Sequence, residues 1–320
     1  MQAELKTWLL EGDPWVRYNT RRDLLGEDES TLGEDYEAMA THPLVSGLIH
    51  ELEGWPGKPI ASHKSAGTHL HKLTFLADIG LRHDDHRLTR MITAIREHRS
   101  TEGPLQMQMN IPTHFGGKGI DEWAWDLCDA PSIHYALHRM GIRDDDLLEG
   151  TRYMINLVRD NGWPCAASEE LGSFKGPGPR KESCPYATLV MLKNLAVLEE
   201  VDTEEAQQGI ASLLNNWENS RKRHPFIFYM GTDFRKLKAP LIWYDIVHVV
   251  ETLSHFPFVW GDGRFQEMVD VIRAKADDQD RYTPESIWIA WKVLDSGQKK
   301  EPSRWLTFLV NRMLSKDAGR

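Results

Sequence analysis

The chain has 320 residues, 41% of them apolar, enough for a sizeable core in one domain or two. Its 48 Asp and Glu outnumber 38 Lys and Arg, and a net charge of -10 argues against general nucleic-acid binding as the main task. No apolar stretch reaches spanning length, and Met1-Gln2-Ala3-Glu4-Leu5 lacks the basic-then-apolar order of a signal peptide. The reading is therefore a cytoplasmic protein without a membrane span.

Taken in chain order, one unit recurs six times. A loop ends in a small or kinked residue, an apolar helix opens, a tight turn stops it, and a more charged helix follows. The openings are Pro14-Trp15, Gly67-Thr68, Pro131-Ser132, Pro185-Tyr186, Pro240-Leu241 and Pro284-Glu285. Proline suits the first helical position, where its missing N–H would be unpaired anyway. The interval drifts around roughly fifty residues, as in a helical repeat array with insertions. Gly26, Gly80, Gly141 and the Ser296-Gly297 pair follow apolar runs and mark helix ends. Asp84-Asp85, Asp144-Asp145-Asp146, Thr203-Glu204-Glu205 and Asp262 stand where the partner helix needs an N-cap and acidic first turn.

The helices around Ile133–Leu137, Ala187–Ala196 and Leu241–Val250 are apolar on nearly all sides, whereas 87–96 and 265–272 alternate in helical period. Buried helices alternating with one-faced partners predict an all-α fold. The predicted arrangement is a single α/α toroid over 1–320, with six inner and about six outer helices. An open HEAT-like solenoid, which could serve as a nucleic-acid groove, is the competing arrangement. In a closed ring the long inserts gather at one mouth, over a central cavity.

Three features fall on those inserts. Cys128, Cys165 and Cys184, the only cysteines, lie in adjacent repeats. Three thiols could bind zinc with an open fourth position, pack as small apolar groups, or present a thiolate lowered by a helix N-terminus. Asp126, Asp129, Glu182 and His134 are the neighbouring acid/base candidates, and His134 with His138 forms an i, i+4 pair. Trp123, Trp125, Trp163, Tyr186, Trp243, Tyr244 and Trp288 are candidate cavity aromatics, able to face an apolar body or a cation. His114 sits in a glycine-rich insert. Lys175, Arg180 and Lys238 belong to a basic rim suited to the anionic head of a small amphiphile; solvated lysines balancing acids are the blander alternative.

The segment Gly172-Ser173-Phe174-Lys175-Gly176-Pro177-Gly178-Pro179-Arg180-Lys181-Glu182-Ser183-Cys184-Pro185-Tyr186 resembles the protein prenyltransferase β-subunits of the terpenoid-cyclase and prenyltransferase toroid superfamily. There, Gly-Phe-x-Gly and a basic turn precede Asp-x-Cys-Tyr. The resemblance implies a zinc thiolate at Cys184, with Glu182 in the place of the family's Asp. Where that family has a ligating His opening the next inner helix, this chain has Lys238-Ala239-Pro240. Asp126-Leu127-Cys128-Asp129 is similar to the Asp-x-Asp-Asp acid motif of class II cyclases, with Cys128 in the proton-donating position. Cys128 and Cys184, opening successive helices, also resemble the two zinc cysteines of lanthionine-cyclase toroids, though that family's Cys-His-Gly is absent. Together these imply an enzyme acting on an apolar or isoprenoid-like molecule by zinc- or thiolate-assisted transfer or cyclisation. A non-catalytic ligand or peptide receptor is the alternative from another class.

Overall fold

The computed structural model describes residues 2–60, 64–174, 181–225 and 228–317. Among them the chain is mainly α-helical, with a single two-stranded sheet, so the all-α class holds. The contacts gather into two compact units, one built from Met1–Leu48 with Gly231–Arg320 and one from Ile49–Met230.

The first unit contains α1 (Ala3–Leu10), α2 (Pro14–Asn19, extended by a π turn to Leu24) and α3 (Gly33–Ala40). Across the division runs α4 (Pro43–Leu52). The second unit continues with α5 (His69–Asp78), α6 (Thr89–Arg96), α7 (Ala130–Arg139), α8 (Asp145–Ile155), α9 (Pro185–Val197) and α10 (Glu204–Glu218). The antiparallel pair β1 (Met107–Met109) and β2 (Glu122–Ala124) lies in the insert before α7. The chain then completes the first unit with α11 (Ile246–Leu253), α12 (Gly263–Arg273) and α13 (Arg304–Ser315).

Local chemistry sets these boundaries. Asp85, Asp144, Thr203 and Asp262 each accept a backbone N–H from the turn they open, so the acidic clusters work as helix caps. Gly26, Gly80 and Gly141 adopt positive φ at helix ends, the left-handed conformation that Gly enters without a Cβ penalty. Pro14 and Pro185 open α2 and α9, and Pro131 lies in the first turn of α7. In α9 every residue from Pro185 to Leu195 is buried, and so is all of α11. The second unit is organised by α7, which packs between α5 and α9, while α8 and α10 lie against α9.

Two expected openings are displaced. Pro240 does not start a helix: its peptide with Ala239 is cis, and α11 begins only at Ile246. Asp245 sets that start because its Oδ1 accepts the N–H groups of Val247 and His248, at 3.1 Å each, which no Pro side chain can do. Pro284 is likewise followed by no α-helix. Glu285 is tied to Leu237 by two hydrogen bonds, from its own N–H and to its carboxylate, and two 3-10 turns follow before Ser303 caps α13. Gly297 falls in one of these turns rather than at a left-handed helix end.

Candidate functional site

Backbone pairing brings the three cysteines together. The 163–168 segment forms a bracket between two helix openings. Leu127 N–H donates to Ala166 O at 3.0 Å, Ser168 N–H donates to Trp125 O at 2.9 Å, and Cys184 N–H donates to Trp163 O at 2.7 Å. Cys165 sits between the Trp163 and Ala166 carbonyls and is thereby fixed next to both Cys128, before α7, and Cys184, the N-cap of α9. All three are free thiols, with Cys128 and Cys184 buried and Cys165 partly open.

The thiols hydrogen-bond to one another, and their protons are unequally held. Cys184 is kept well below the usual thiol range, chiefly by its hydrogen bond with Cys128, then by Cys165 and the N–H groups of Ala187 and Tyr186, against the opposing effect of burial. Ala187 N–H donates to Cys184 Sγ at 3.5 Å, so the sulfur itself caps α9. Cys128 is pushed well above the usual range by its bonds to Cys165 and Cys184, with burial and the charge of Asp126 adding to it. The proton is thus held more loosely on Cys184 than on Cys128. Among the described residues, no group of three or more His, Cys, Asp and Glu side chains is arranged as a metal cage.

Around this cluster the predicted acids divide. Asp126 Oδ1 accepts the N–H groups of Cys128 and Asp129, at 2.9 Å each, and so shapes the turn that carries Cys128. Asp129 is wholly buried at the N-cap of α7. Burial, followed by Asp129 and Cys128, pushes the Tyr186 phenol well above its usual range, while a hydrogen bond with Ser132 acts the other way. Tyr186, a candidate cavity aromatic, thus lies close to Asp129 and the thiols. Glu182 is placed otherwise: its carboxylate accepts from Arg223 at 2.8 Å in an ion pair.

His134 has a different task from the acid/base role expected of it. Leu105 N–H donates to its Nε2 at 3.0 Å, leaving Nδ1–H to donate to Thr151 Oγ1 at 2.8 Å. His138 donates from Nδ1 to Ile142 O at 3.0 Å, and its Nε2 lies 2.8 Å from the same Thr151 hydroxyl. Burial, with the neighbouring His138, lowers His134 to about 3, and burial lowers His138 to about 4. Both rings are neutral and fully engaged, a polar joint between α7 and α8.

The aromatic candidates scatter. Trp163 is buried, with Nε1–H donating to Met154 O at 2.9 Å, so its carbonyl rather than its ring serves the thiols. Trp125 packs edge-on against Tyr153, and Trp123 stacks on His98. Trp243, Tyr244, Trp288 and Lys238 belong to the first unit. There Trp243 O accepts from His248, Tyr244 packs on Phe234, and Trp288 Nε1–H donates to Pro240 O. Lys238 lies over Trp288, 5.4 Å from the ring centre, and pairs with Asp233 at 3.2 Å. His114 sits on an exposed turn beside Phe115; the following Gly116 O accepts from Ser173 N–H at 3.0 Å, joining the two glycine-rich inserts. Lys175 and Arg180 lie outside the described residues. Where the basic rim is described, acids balance part of it, as in Arg223 with Glu182 and Lys236 with Asp233.

Sequence reasoning passed over a second polar group in the same unit. Tyr135 O–H donates to Asp78 Oδ1 at 2.6 Å, and Lys193 Nζ lies 4.0 Å from that oxygen and 4.1 Å from the Tyr135 ring centre. The signal was available: Lys193 is the one charged residue in the otherwise apolar α9. Compared with known proteins, the chain matches no family model, and no curated protein matches it. No helix among the described residues is long and apolar enough to cross a membrane.

Proposed function

We propose that this chain is an enzyme acting on a small apolar or amphiphilic anionic molecule, with the Cys184 thiolate as its reacting group. The mutual hydrogen bonding of Cys128, Cys165 and Cys184 at the opening of α9 carries this reading. Cys184 supplies the electron pair that forms a bond to an electrophilic carbon as the bond from that carbon to a leaving oxygen breaks, and the Cys128 S–H gives its proton to the departing oxygen. Tyr186 lies near the reacting sulfur and near Asp129, and Asp126 holds the Cys128 turn in place. Closure of the repeats into an α/α toroid, and the relationship to prenyltransferases and terpenoid cyclases, belong to the same proposal. So does a reducing, cytoplasmic setting in which three adjacent thiols persist.

Titration of the ultraviolet thiolate absorbance tests it. A thiolate signal in the folded protein well below the usual thiol pH range, lost in Cys184→Ser and shifted upward in Cys128→Ser, is expected. A wild-type titration identical to that of the unfolded chain would remove the thiolate.

Zinc is the second reading, favoured by the convergence of three sulfur donors. Cys128, Cys165 and Cys184 would hold the ion, and bound zinc supplies Lewis-acid activation of a thiol or water at an open position. Metal analysis on untagged protein separates the readings. About one zinc per chain, with stability lost in chelator, supports zinc; less than about a tenth, with unchanged stability, excludes it.

A further inference from the structure

The helices α5, α7 and α9 are almost dry, and solvent touches them unevenly. On α9, Ala187, Leu189, Leu192 and Leu195 are fully buried at 0%, while Tyr186 keeps 2% and Lys193 6%. These two residues are seven apart, two helical turns on one face. On α5, beyond the part-exposed His69 and Lys72 near its start, the residual exposure of the buried stretch falls on Thr74 and Asp78, at 6% each, four residues apart, with Leu73, Leu76 and Ala77 at 0%. On α7 it falls on Ser132, at 5%, and on half-buried Tyr135, three residues apart, with Ile133, Ala136 and Leu137 at 0%. Each helix thus turns one polar face toward a space that solvent reaches, and α7 packs between the other two. Hydrogen bonding links these faces, through Ser132 with Tyr186 and Tyr135 with Asp78.

Lys193 is the unsettled member. Its ammonium has three donors, yet among the described residues it makes only the 4.0 Å approach to Asp78 and the contact with the Tyr135 ring, and it donates no hydrogen bond. An ammonium so nearly buried gains by finding acceptors, as the other buried polar side chains of α9 do: Thr188 accepts from Trp163 N–H and Asn194 donates to Pro131 O. Asp78 meets it only as a 4.0 Å ion pair, beyond hydrogen-bond reach, while the same Oδ1 accepts the Tyr135 O–H at 2.6 Å. Arg139, one turn beyond Tyr135 on the same face of α7, makes no ion pair among the described residues, which leaves the local balance positive.

We propose that these faces of α5, α7 and α9 line a binding site for a small organic anion, a carboxylate or phosphate on an apolar body, with Lys193 as the anchor of its charged end. The Tyr135 ring, 4.1 Å from Nζ, holds the ammonium in position, and Asp78 competes with the ligand for it. From Lys193 to Tyr186 the helix rises about 10 Å, so a ligand of that length anchored at Lys193 reaches the residue that borders Cys184. The substrate-class part of this inference rests on the thiolate reading; the anion site itself does not.

The test uses the full-length protein with octanoate and octanol, which share an apolar chain and differ in the charged end. Octanoate should raise the melting temperature saturably and octanol should not. Lys193→Met should weaken octanoate by about tenfold or more, the loss expected for one charge-assisted hydrogen bond, and Lys193→Arg should retain most of it. Asp78→Asn, which removes the competing carboxylate, should tighten octanoate, and this holds the test open even if Lys193→Met fails to fold. No shift with octanoate, an equal shift with octanol, an unchanged affinity in Lys193→Met, or an unchanged or weaker affinity in Asp78→Asn would each overturn the anion site. Adding octanoate to the Cys184 thiolate titration distinguishes the two claims. Octanoate binding without any thiolate signal keeps the anion site and discards the thiolate; a thiolate signal without octanoate binding does the reverse.

Discussion

Two polar clusters meet on α7, and they differ in what they leave unspent. In the imidazole cluster, both nitrogens of His134 and both of His138 are engaged, and one Thr151 hydroxyl joins them. In the thiol cluster the partners are sulfurs, which donate and accept weakly, so even a fully contacted thiol keeps an electron pair for chemistry. Burial pushes both histidines to neutrality, whereas hydrogen bonds hold Cys184 toward its charged form in spite of burial. A joint on α7 and a thiol cluster at the openings of α7 and α9 thus lie in one unit. Saturation of the hydrogen bonds, more than burial, tells them apart.

The largest test of that contrast is acid. An unfolded histidine takes up its proton near 6.5, but His134 and His138 in the fold wait until about 3 and about 4. Their folded values are depressed, so the unfolded state binds more protons below pH 6.5. Stability is complete above that pH and falls as the pH drops toward 4, by on the order of 5 kcal/mol for the pair. Urea unfolding across this range should show the loss, and His134→Gln should remove about half of it. A slope unchanged in that variant would mean that other groups govern acid unfolding.

Next in size is His134→Leu, which strands the Leu105 N–H in the core and leaves the Thr151 hydroxyl with Leu147 O and His138. A loss of about 3 kcal/mol in chemical denaturation is expected, with the thiolate titration unchanged. If that titration moved as well, the two clusters would be one coupled network.

The first unit supplies an intermediate case. Asp245 opens α11 with Oδ1 doubly engaged, while its buried Oδ2 has no hydrogen-bond partner. Burial raises this carboxyl to about 7, above its usual value, with Lys238 partly opposing. The fold therefore prefers its protonated form: the contribution is complete below about pH 4 and is lost as the pH rises to 7. Asp245→Asn should raise stability by about 2 kcal/mol at pH 8 and leave it nearly unchanged at pH 4. Equal melting temperatures for variant and wild type at pH 8 would show that Oδ2 is satisfied in solution.

The smallest effect belongs to the thiols. Cys184→Ala removes one weak cap and should change stability by no more than about 1 kcal/mol, while abolishing the low-pH thiolate signal. A loss as large as that of His134→Leu would make Cys184 a joint too.

Much of this was legible in the sequence because it is local. Caps such as Asp144 and Thr203, and left-handed Gly80 and Gly141, depend on a few neighbours, so the paired helices of the second unit fall where expected. Placing three cysteines in adjacent repeats was enough to suspect a common site. The bracket at 163–168, which makes it one, consists of pairings across tens of residues and has no local mark. Pro240 and Pro284 misled because proline suits extended loops as well as first helical turns; side-chain caps at Asp245 and Ser303 decide those openings. His134 and His138 announced themselves as a pair, but Thr151, which converts them from a candidate acid/base set to a joint, lies on the next helix.

The first unit is assembled from two stretches far apart in the chain, and this orders its completion in time. Trp8, on α1, has the guanidinium groups of Arg281 and Arg304 over its ring, and its carbonyl accepts from Arg304 Nε at 2.8 Å. During synthesis, α1 to α3 emerge early and wait, with that face bare, while the whole second unit is made. Only when α13 leaves the ribosome can this face of α1 be covered, so the nascent chain carries a bare tryptophan surface throughout the synthesis of the second unit.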